Sequence, residues 1–402
     1  MIFHILEKDR KDSQIYSGGA ICQPSSINEE ASTALFGKTL ESLPFRVKCL
    51  EIYSGGKTIE ELCPDHLRFQ FNKASSKFLA HKKSLQNAKV GDDFGIHELL
   101  PEKVLSEYTQ ICEKIVAYQM PKFAEPKNYN LLYDVRRLCS QISSQELKIN
   151  VSNYSSFLTD ERFKVLAGKL SRKEVKTSIN YNIFGTKTGR LTTFPGSFPI
   201  LTMAAEYRDI LVPQRDYFVE LDFNSAELRV LLGLCNHYQP QEDLHDWNMK
   251  NVFENCKDRA DAKKRTFAWL YNDEAEDQNL EKFYDRKFVK ENYYSDGKIE
   301  NIFGREIACE ERLATNYIMQ STANDTFLNS VLAIQKIIDE NNLKSRIVYV
   351  MHDSVLLDFS RDDQSHLKEI VRQFSFTPFG NFPINVRAGT KYSEMGSKLW
   401  TT

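Results

Sequence analysis

Two apolar segments that lie far apart in the chain, each carrying an aspartate, constrain the fold most strongly. The segment DYFVELDF predicts a buried strand that ends at Asp222, and the helical segment SAELRVLLGL follows it at once. The segment RIVYVMHDSVLLDF predicts two strands around a tight turn with Asp353 at its tip. An acid among apolar strands is costly unless something satisfies its charge. The segments therefore predict a sheet built from distant pieces of chain, with two acids that need partners.

Two aspartates on neighbouring strands can hold a pair of divalent cations. Phosphoryl transfer to a sugar hydroxyl uses two ions about 3.5–4 Å apart, one for the nucleophile and one for the leaving group. Oxygen ligands and phosphates suit Mg²⁺, for which Mn²⁺ can substitute. A simple turn hydrogen bond would also satisfy either acid, so this alternative stays open. Two roles are likewise open for Glu227, because N-S-A-E also reads as a capping box with Asn224 as the cap.

The helical segment RADAKKRTFAWLYN carries a second constellation. Arg259, Lys263, Phe267 and Tyr271 are four residues apart, so they form one slowly winding helix face about 18 Å long. The cationic end can grip a triphosphate, and the aromatic end can pack against a sugar and a base. The alternative is an ordinary helix with a basic end and a buried aromatic end.

The remaining patterns predict an α+β fold with several subdomains. Short strands and turns are expected over residues 1 to about 95, and a helical pattern over His97–Gln119. Further helices are predicted over residues 259–271, 281–292 and 312–339, and PINVRAG is the expected last strand. The length of 402 residues allows two or three packed units.

Composition limits the function classes. The net charge of −2 removes any whole-molecule argument for nucleic-acid binding, so basic patches such as Arg162–Lys176 would have to provide it. The eight cysteines include no C-x-x-C pair, which favours reduced thiols over a zinc site or a disulfide framework. No signal peptide and no apolar run of membrane-spanning length is seen, so we expect a soluble, intracellular protein without a membrane partner.

These segments, in this order, resemble the motifs of family A DNA polymerases, the DNA polymerase I group. DFNSAELRVL resembles motif A, RADAKKRTFAWLYN resembles motif B, and VMHDSVL resembles motif C. Other family segments are resembled by TGRLTT, EDLH, RLATNYIMQSTANDTF and PINVRAGTKYSEM. Each match is weak alone, but together and in order they cover roughly residues 97 to 402.

The resemblance implies a right-hand polymerase fold with an antiparallel-sheet palm, helical fingers and a helical thumb. The expected parts are an N-terminal domain over residues 1–96, a thumb over 97–180, a palm over 181–235 and 335–402, and fingers over 236–334. The implied activity is template-directed addition of dNTPs to a primer 3′-hydroxyl by two-metal phosphoryl transfer. Primer-template DNA and dNTPs are the implied partners.

The resemblance also assigns roles to residues. Asp222 and Asp353 would be the catalytic metal ligands, together with the Phe223 carbonyl. Glu227 would act as the sugar gate, crowding the space that a ribose 2′-hydroxyl needs. The remaining dNTP contacts would be Arg259, Lys263, Phe267, Tyr271 and His245, and the DNA contacts Arg190, Arg312, Asn316, Gln320 and His352.

Departures from the family pattern keep two rival functions open. Ser354 stands where these DNA polymerases usually carry a second carboxylate, and the triplet His-Asp-Ser also resembles single-subunit RNA polymerases. Asn272 replaces a glycine, and FPGSFPIL replaces an asparagine-rich stretch. Glu227 favours DNA synthesis, because the matching position in those RNA polymerases is small. The second rival is a catalytically inactive, polymerase-shaped accessory protein, against which the presence of both aspartates argues.

Residues 1 to 95 raise a separate question. A proofreading 3′–5′ exonuclease typically opens with Asp-x-Glu on a strand, and this region contains no such triplet. We therefore expect no proofreading. The region is either a reduced remnant or a docking platform for a processivity or replisome partner. Viral replication, in the cytoplasm of a bacterial host, and DNA repair are equally compatible with the residues.

Overall fold

The structure is a computed structural model, and its two compact units are described separately. It describes residues 57–88, 99–119, 122, 126–154, 159–272 and 275–395, Gln86 by its backbone only, together with the backbone of five N-terminal strands. The first unit comprises Met1–Tyr129 and the second comprises Asn130–Thr402.

The first unit contains a five-stranded mixed sheet. Its strands are β1 (Ile2–Ile5), β2 (Ile15–Ser17), β3 (Ala20–Cys22), β4 (Thr33–Phe36) and β5 (Glu51–Tyr53). The spatial order is β3-β2-β1-β4-β5. β2 is antiparallel to both of its neighbours, whereas β1, β4 and β5 are parallel.

Two long helices follow the sheet, α1 (Asp65–Asn87) and α2 (Glu102–Gln119). They pack together through aromatic side chains. The ring of Phe78 in α1 stacks on the ring of Tyr108 in α2 at a centroid distance of 4.1 Å. The prediction of short strands and turns is therefore wrong over α1. Buried Phe71, Ala74 and Phe78 do have helical spacing, but the exposed Phe69 blurs the apolar pattern.

The predicted second helix is confirmed from Glu102 onwards, after Pro101. Part of its expected start, residues 97 and 98, lies outside the described residues. The helices on both sides of the predicted boundary at residue 96 belong to the same compact unit. The subdomain boundaries stay predictions.

The rest of the chain alternates helices with short strands. Its helices are α3 (Tyr129–Ser143), α4 (Glu161–Ser171), α5 (Ala226–Leu234), α6 (Leu244–Asn251), α7 (Arg259–Leu270), α8 (Gln278–Glu281), α9 (Arg286–Tyr293), α10 (Glu311–Glu340) and α11 (Leu367–Ser375). Its strands are β6 (Lys148–Ile149), β7 (Tyr181–Asn182), β8 (Thr192–Thr193), β9 (Leu211–Val212), β10 (Tyr217–Phe223), β11 (Tyr294–Ser295), β12 (Lys298–Glu300), β13 (Glu306–Ala308), β14 (Arg346–Met351), β15 (Ser354–Phe359), β16 (Phe376–Thr377), β17 (Gly380–Asn381) and β18 (Ile384–Gly389).

A four-stranded antiparallel sheet forms the centre of the second unit, in the order β14-β15-β10-β18. The register places Asp222 opposite Ser354 on one side and Asn385 on the other. Because side chains alternate along a strand, the neighbouring Phe223 points to the opposite face. There it stacks on Phe374 of α11 at a centroid distance of 4.5 Å. The sheet thus has a packed apolar face and an opposite face that carries the acids.

Four of the five segment predictions beyond residue 258 are confirmed, including the two strands around a turn in RIVYVMHDSVLLDF, which are β14 and β15. The helices expected over residues 259–271 and 312–339 are α7 and α10, and the last strand is β18. The single helix expected over residues 281–292 is wrong, because the chain forms α8 and α9 there. Asp285 ends the continuity, since its carboxylate caps α9 by accepting from the Phe288 N–H at 2.8 Å.

The α+β class is confirmed by helices that flank antiparallel sheets in this unit. The long helix α10 is largely buried and contacts α5, α9 and α11. A small antiparallel sheet, β11-β12-β13, leads into it. None of the helices in the described part of the chain is long and apolar enough to cross a bilayer.

Candidate active site

The structure brings Asp222 and Asp353 together at one end of the central sheet. Asp222 is the last residue but one of β10, and Asp353 lies in the tight turn between β14 and β15. The Phe223 N–H donates to the Asp353 carbonyl at 3.1 Å, which ties the turn to the end of β10. His352 makes this turn possible by adopting a left-handed φ of +56°.

Burial disfavours the charged forms of both aspartates. Burial, and then the charge of Asp353, raise the pKa of Asp222 to about 6, although the Asn385 amide donates to it at 3.0 Å. Burial also raises the pKa of Asp353, and the carboxylate of Glu227 adds to this effect. Two half-buried acids of this kind are stabilised as anions by a bound cation.

The donor set fits Mg²⁺. This ion keeps several waters and binds through one or two carboxylates plus substrate phosphates, so it needs no closed protein cage. Among the described residues, no cluster of three or more histidine, cysteine, aspartate or glutamate side chains could hold a metal ion. Ser354 is not a substitute for a third acid, because its buried hydroxyl donates to the Met351 carbonyl at 3.0 Å.

Helix α7 presents the predicted cationic and aromatic face. The rings of Phe267 and Tyr271 are nearly parallel, with centroids 5.7 Å apart, and the Lys263 Nζ lies 5.7 Å from the Phe267 ring. Arg259 donates to both carboxylate oxygens of Asp243, at 3.0 and 2.7 Å. The four residues therefore share one face of α7, but the guanidinium of Arg259 is already paired with the Asp243 carboxylate.

The capping prediction for Asn224 and Glu227 is wrong. Helix α5 begins at Ala226, and its N-cap is Ser225, which has a φ of +57° and forms no side-chain cap hydrogen bond. Asn224 is one residue too early to act as the cap, and its amide donates to Asp243 at 2.9 Å instead. The carboxylate of Glu227 is therefore not used to cap α5.

Glu227 receives hydrogen bonds from two of the predicted site residues. The Arg190 guanidinium donates to Oε1 and the Tyr271 hydroxyl donates to Oε2. Burial, and then the bond to Glu227, raise the pKa of Tyr271, so its hydroxyl stays protonated as a donor. This clamp joins β10–α5, the loop before β8 and the end of α7.

A cavity of about 230 Å³ opens between these elements. Residues from the segments that resemble motifs A, B and C, from TGRLTT and from α10 line it, and those that were expected at the site are Arg190, Glu227, Phe267, Tyr271, His352 and Asp353. Asp353 thus lines one side of the cavity, and the aromatic rings of Phe267 and Tyr271 line another.

The other predicted contacts lie on two helices. Arg312, Asn316 and Gln320 follow each other at four-residue spacing along α10 and so share one face. Arg312 is exposed and pairs with Glu310 at 2.7 Å, whereas the Asn316 Oδ1 is buried without a hydrogen-bond partner among the described residues. His245 lies on α6, where its ring is 3% exposed and 5.5 Å from the Phe267 centroid.

Comparison with known proteins agrees with this geometry. The family model described as DNA polymerase family A matches residues 271–392. Over these residues the chain resembles DNA polymerase family A. The match begins at Tyr271, directly after α7, and covers all of α10 and the hairpin that carries Asp353, which are parts of the candidate site.

Several polymerases resemble this chain over part of their length. It is 24% identical to a DNA polymerase I of Caldicellulosiruptor bescii over 242 residues, which are 47% of this chain and 28% of that protein. It is 27% identical to a DNA polymerase of Bacillus phage SP01 over 248 residues, 46% of this chain and 27% of that protein. A Pseudomonas aeruginosa DNA polymerase I is 23% identical over 292 residues, 60% and 32% respectively. The chain therefore spans less than a third of each of these relatives.

A solved structure shows the fold. The POL domain of Pol1 from M. smegmatis, in complex with DNA primer-template and dNTP, superposes with a TM-score of 0.58 at 15% identity, covering 73% of this chain and 76% of that one. The α+β polymerase fold expected from the sequence is thereby confirmed.

Sequence reasoning missed several polar residues that position the candidate site. The fully buried Arg229 donates to the carbonyls of Asn224, Pro240 and Glu242 at 2.6–2.8 Å, which fixes the segment that enters α6. Asp243 caps α6 as well as binding Arg259, and these hydrogen bonds hold its pKa well below its usual range although burial alone would raise it. A charged residue inside an apolar helix was the available signal for Arg229.

Two buried ion pairs were also missed. Glu220 of β10 is paired with Arg387 of β18, next to the Asp222–Asn385 register pair. Asp325 of α10 is paired with Arg305. Glu220 breaks the apolar run of its strand, which is a signal, but the identity of either partner depends on contacts between distant residues.

The pH dependence of stability tests the burial of His245. Burial lowers the pKa of its imidazole to about 4, and the nearby Arg259 and Lys263 add to this effect, although the charge of Asp243 opposes it. The unfolded chain therefore binds a proton near pH 6.5 that the folded chain does not, so stability is lost as pH falls from 6.5 towards 4. Between pH 7 and 4.5 we expect wild type to lose about 2 kcal/mol more unfolding free energy than the His245→Gln variant, measured by urea titration. His237→Gln, at an exposed site, is the control, and parallel profiles for wild type and His245→Gln would refute the prediction.

Proposed function

We propose that this chain is a template-directed DNA polymerase of family A that adds dNTPs to a primer 3′-hydroxyl. The observation that carries the proposal is the pair of half-buried acids, Asp222 and Asp353, at one end of a rigid sheet beside the cationic and aromatic face of α7. The names of the relatives and the bound primer-template and dNTP of the similar POL domain support the same function for this chain.

Asp222 and Asp353 would hold two Mg²⁺ ions, with the Phe223 carbonyl as a further ligand. When bound, the ions supply activation of the primer hydroxyl and neutralisation of the charge on the leaving pyrophosphate. The sheet holds both acids in place, because the Phe223 N–H and the Asn385 amide fix the ends of the two segments. This rigidity positions the carboxylates before substrate arrives.

The face of α7 would bind the incoming nucleotide. Lys263 and Arg259 would contact the triphosphate, while Phe267 and Tyr271 would contact the sugar and the base. Arg259 would exchange Asp243 for phosphate, and the covered ring of His245 would join only after α6 and α7 shift. We therefore propose that nucleotide binding rearranges these two helices, in keeping with induced-fit closure.

Contacts to primer-template DNA would come from the loop before β8, from α10 and from the turn between β14 and β15. The proposed residues are Arg190, Arg312, Asn316, Gln320 and His352. The buried, unpartnered Oδ1 of Asn316 supports this assignment, because buried amide oxygens usually find a partner. A processivity or replisome partner for residues 1–96 and an intracellular location stay predictions.

Removing one acid tests the metal assignment. Asp353→Asn keeps the shape of the side chain but removes its charge, so we expect primer extension with Mg²⁺ and dNTPs to fall by at least about a thousand-fold. The matched control is Asp358→Asn, a buried acid near the far end of β15, which should reduce stability more than extension. Extension that survives in Asp353→Asn would refute the assignment and favour an accessory role for this fold.

Sugar selectivity separates DNA synthesis from RNA synthesis. Glu227 is held at the cavity by Arg190 and Tyr271, where its side chain would exclude a 2′-hydroxyl. We expect Glu227→Ala to raise the relative kcat/KM for rNTPs at least about ten-fold. Glu242→Ala is the control outside the cavity. If wild type prefers rNTPs, the single-subunit RNA polymerase alternative replaces our proposal.

We further propose that this chain does not proofread. Glu51 is the single carboxylate among the residues of β1 to β5, whereas a two-metal exonuclease needs several. A primer with a mismatched 3′ terminus, incubated with Mg²⁺ and no dNTP, should keep its length on a denaturing gel. Shortening by single nucleotides that persists in Asp353→Asn would overturn this proposal.

A further inference from the structure

Arg305 and Asp325 form an ion pair deep in the second unit. The Arg305 guanidinium donates to both oxygens of Asp325, from Nε at 2.8 Å and from Nη2 at 2.7 Å. The side chain of Asp325 is 0% exposed and that of Arg305 is 11% exposed. Two-point binding by a buried acid fixes the plane of the guanidinium as well as its position.

The turn that carries Arg305 is held by the same acid. The Asn301 amide donates to Asp325 at 2.8 Å, and the Asn301 Oδ1 accepts from the Arg305 N–H at 3.0 Å. Asn301 at the start of the turn between β12 and β13 and Arg305 at its end both bind Asp325, so the turn is fixed to α10. A buried network with its groups paired in this way is rigid.

The fixed guanidinium lies directly against Gly189. A Cβ at this glycine would be only 2.5–2.7 Å from the three nearest guanidinium atoms of Arg305, and the φ of Gly189 is +84°. Both facts require glycine at this position. The loop is closed on its other side by Thr186, whose hydroxyl donates to the Arg190 carbonyl at 2.9 Å.

The next residue, Arg190, holds Glu227. Its guanidinium donates to the Glu227 carboxylate, whose second oxygen accepts from Tyr271. A continuous series of contacts thus runs from Asp325 through Arg305 and Gly189 to the Arg190–Glu227 bond.

We infer that Arg305 and Asp325 are positioning residues for the Glu227 sugar gate. Contact with the Arg305 guanidinium fixes the position of the Gly189 peptide. That peptide fixes the direction in which the Arg190 side chain leaves the backbone, and the Arg190 guanidinium holds the Glu227 carboxylate in the cavity. The inference rests on the proposed function, because it assigns a specificity role within that site. A purely structural pair would stabilise the fold without altering sugar selectivity.

Two variants remove the contact in different ways. Gly189→Ala keeps the ion pair but forces the loop away from the guanidinium. The double variant Arg305→Met, Asp325→Leu removes the pair and leaves no unpaired buried charge, so the fold is expected to survive. The matched control is Arg346→Met, Asp358→Leu, a second pair with a buried acid in the same unit.

The readout is the ratio of kcat/KM for a dNTP to that for the matching rNTP in single-nucleotide extension, with thermal unfolding to confirm folding. We expect both test variants to incorporate dNTPs and to lower this ratio about ten-fold, as loss of one charged hydrogen bond would. The control pair should leave the ratio at its wild-type value. An unchanged ratio in folded Gly189→Ala would overturn the inference, whereas absence of dNTP incorporation by wild type would overturn the proposed function itself.

Discussion

The structure depends on keeping two carboxyl groups side by side in a half-buried site. Burial disfavours the anions of both residues, and a neighbouring carboxylate adds repulsion to each, Asp353 to Asp222 and Glu227 to Asp353. The register of β10 with β15 brings them together, and the Phe223 N–H locks the hairpin turn in place. Behind them, the stack of Phe223 on Phe374 anchors the sheet on α11. A rigid apolar layer thus supports an electrostatic arrangement that a bound cation would relieve.

Polar networks extend this arrangement to the surrounding loops and helices. Arg229, buried without a carboxylate partner among the described residues, ties the end of β10 to the start of α6 through backbone carbonyls. Asp243 links that segment to Arg259 of α7. Glu227 joins the loop before β8 to Tyr271. The segments around the site are therefore coupled by charged hydrogen bonds, which are stronger than hydrogen bonds between neutral groups.

Local patterns predicted the elements with strong periodicity. The apolar runs of β10, β14, β15 and β18, and the helical spacing of α7 and α10, are visible without any structure. Helix α1 was missed because exposed aromatic and aliphatic residues blur its buried stripe, and the break before α9 depends on one aspartate cap. The partners of Arg259, Arg305 and Glu220 could not be predicted, since each contact joins residues far apart in sequence. The roles of the site residues remain proposals that follow from the family resemblance and the geometry.

A metal-substituted ternary complex tests the central claim most directly. Crystals of the chain with primer-template DNA, a non-hydrolysable dNTP analogue and Mn²⁺ would give anomalous peaks at the metal positions. The account predicts two peaks about 3.5–4 Å apart, both within coordination distance of the Asp222 and Asp353 carboxylates. Peaks elsewhere, or two acids that stay apart with nucleotide bound, would contradict it.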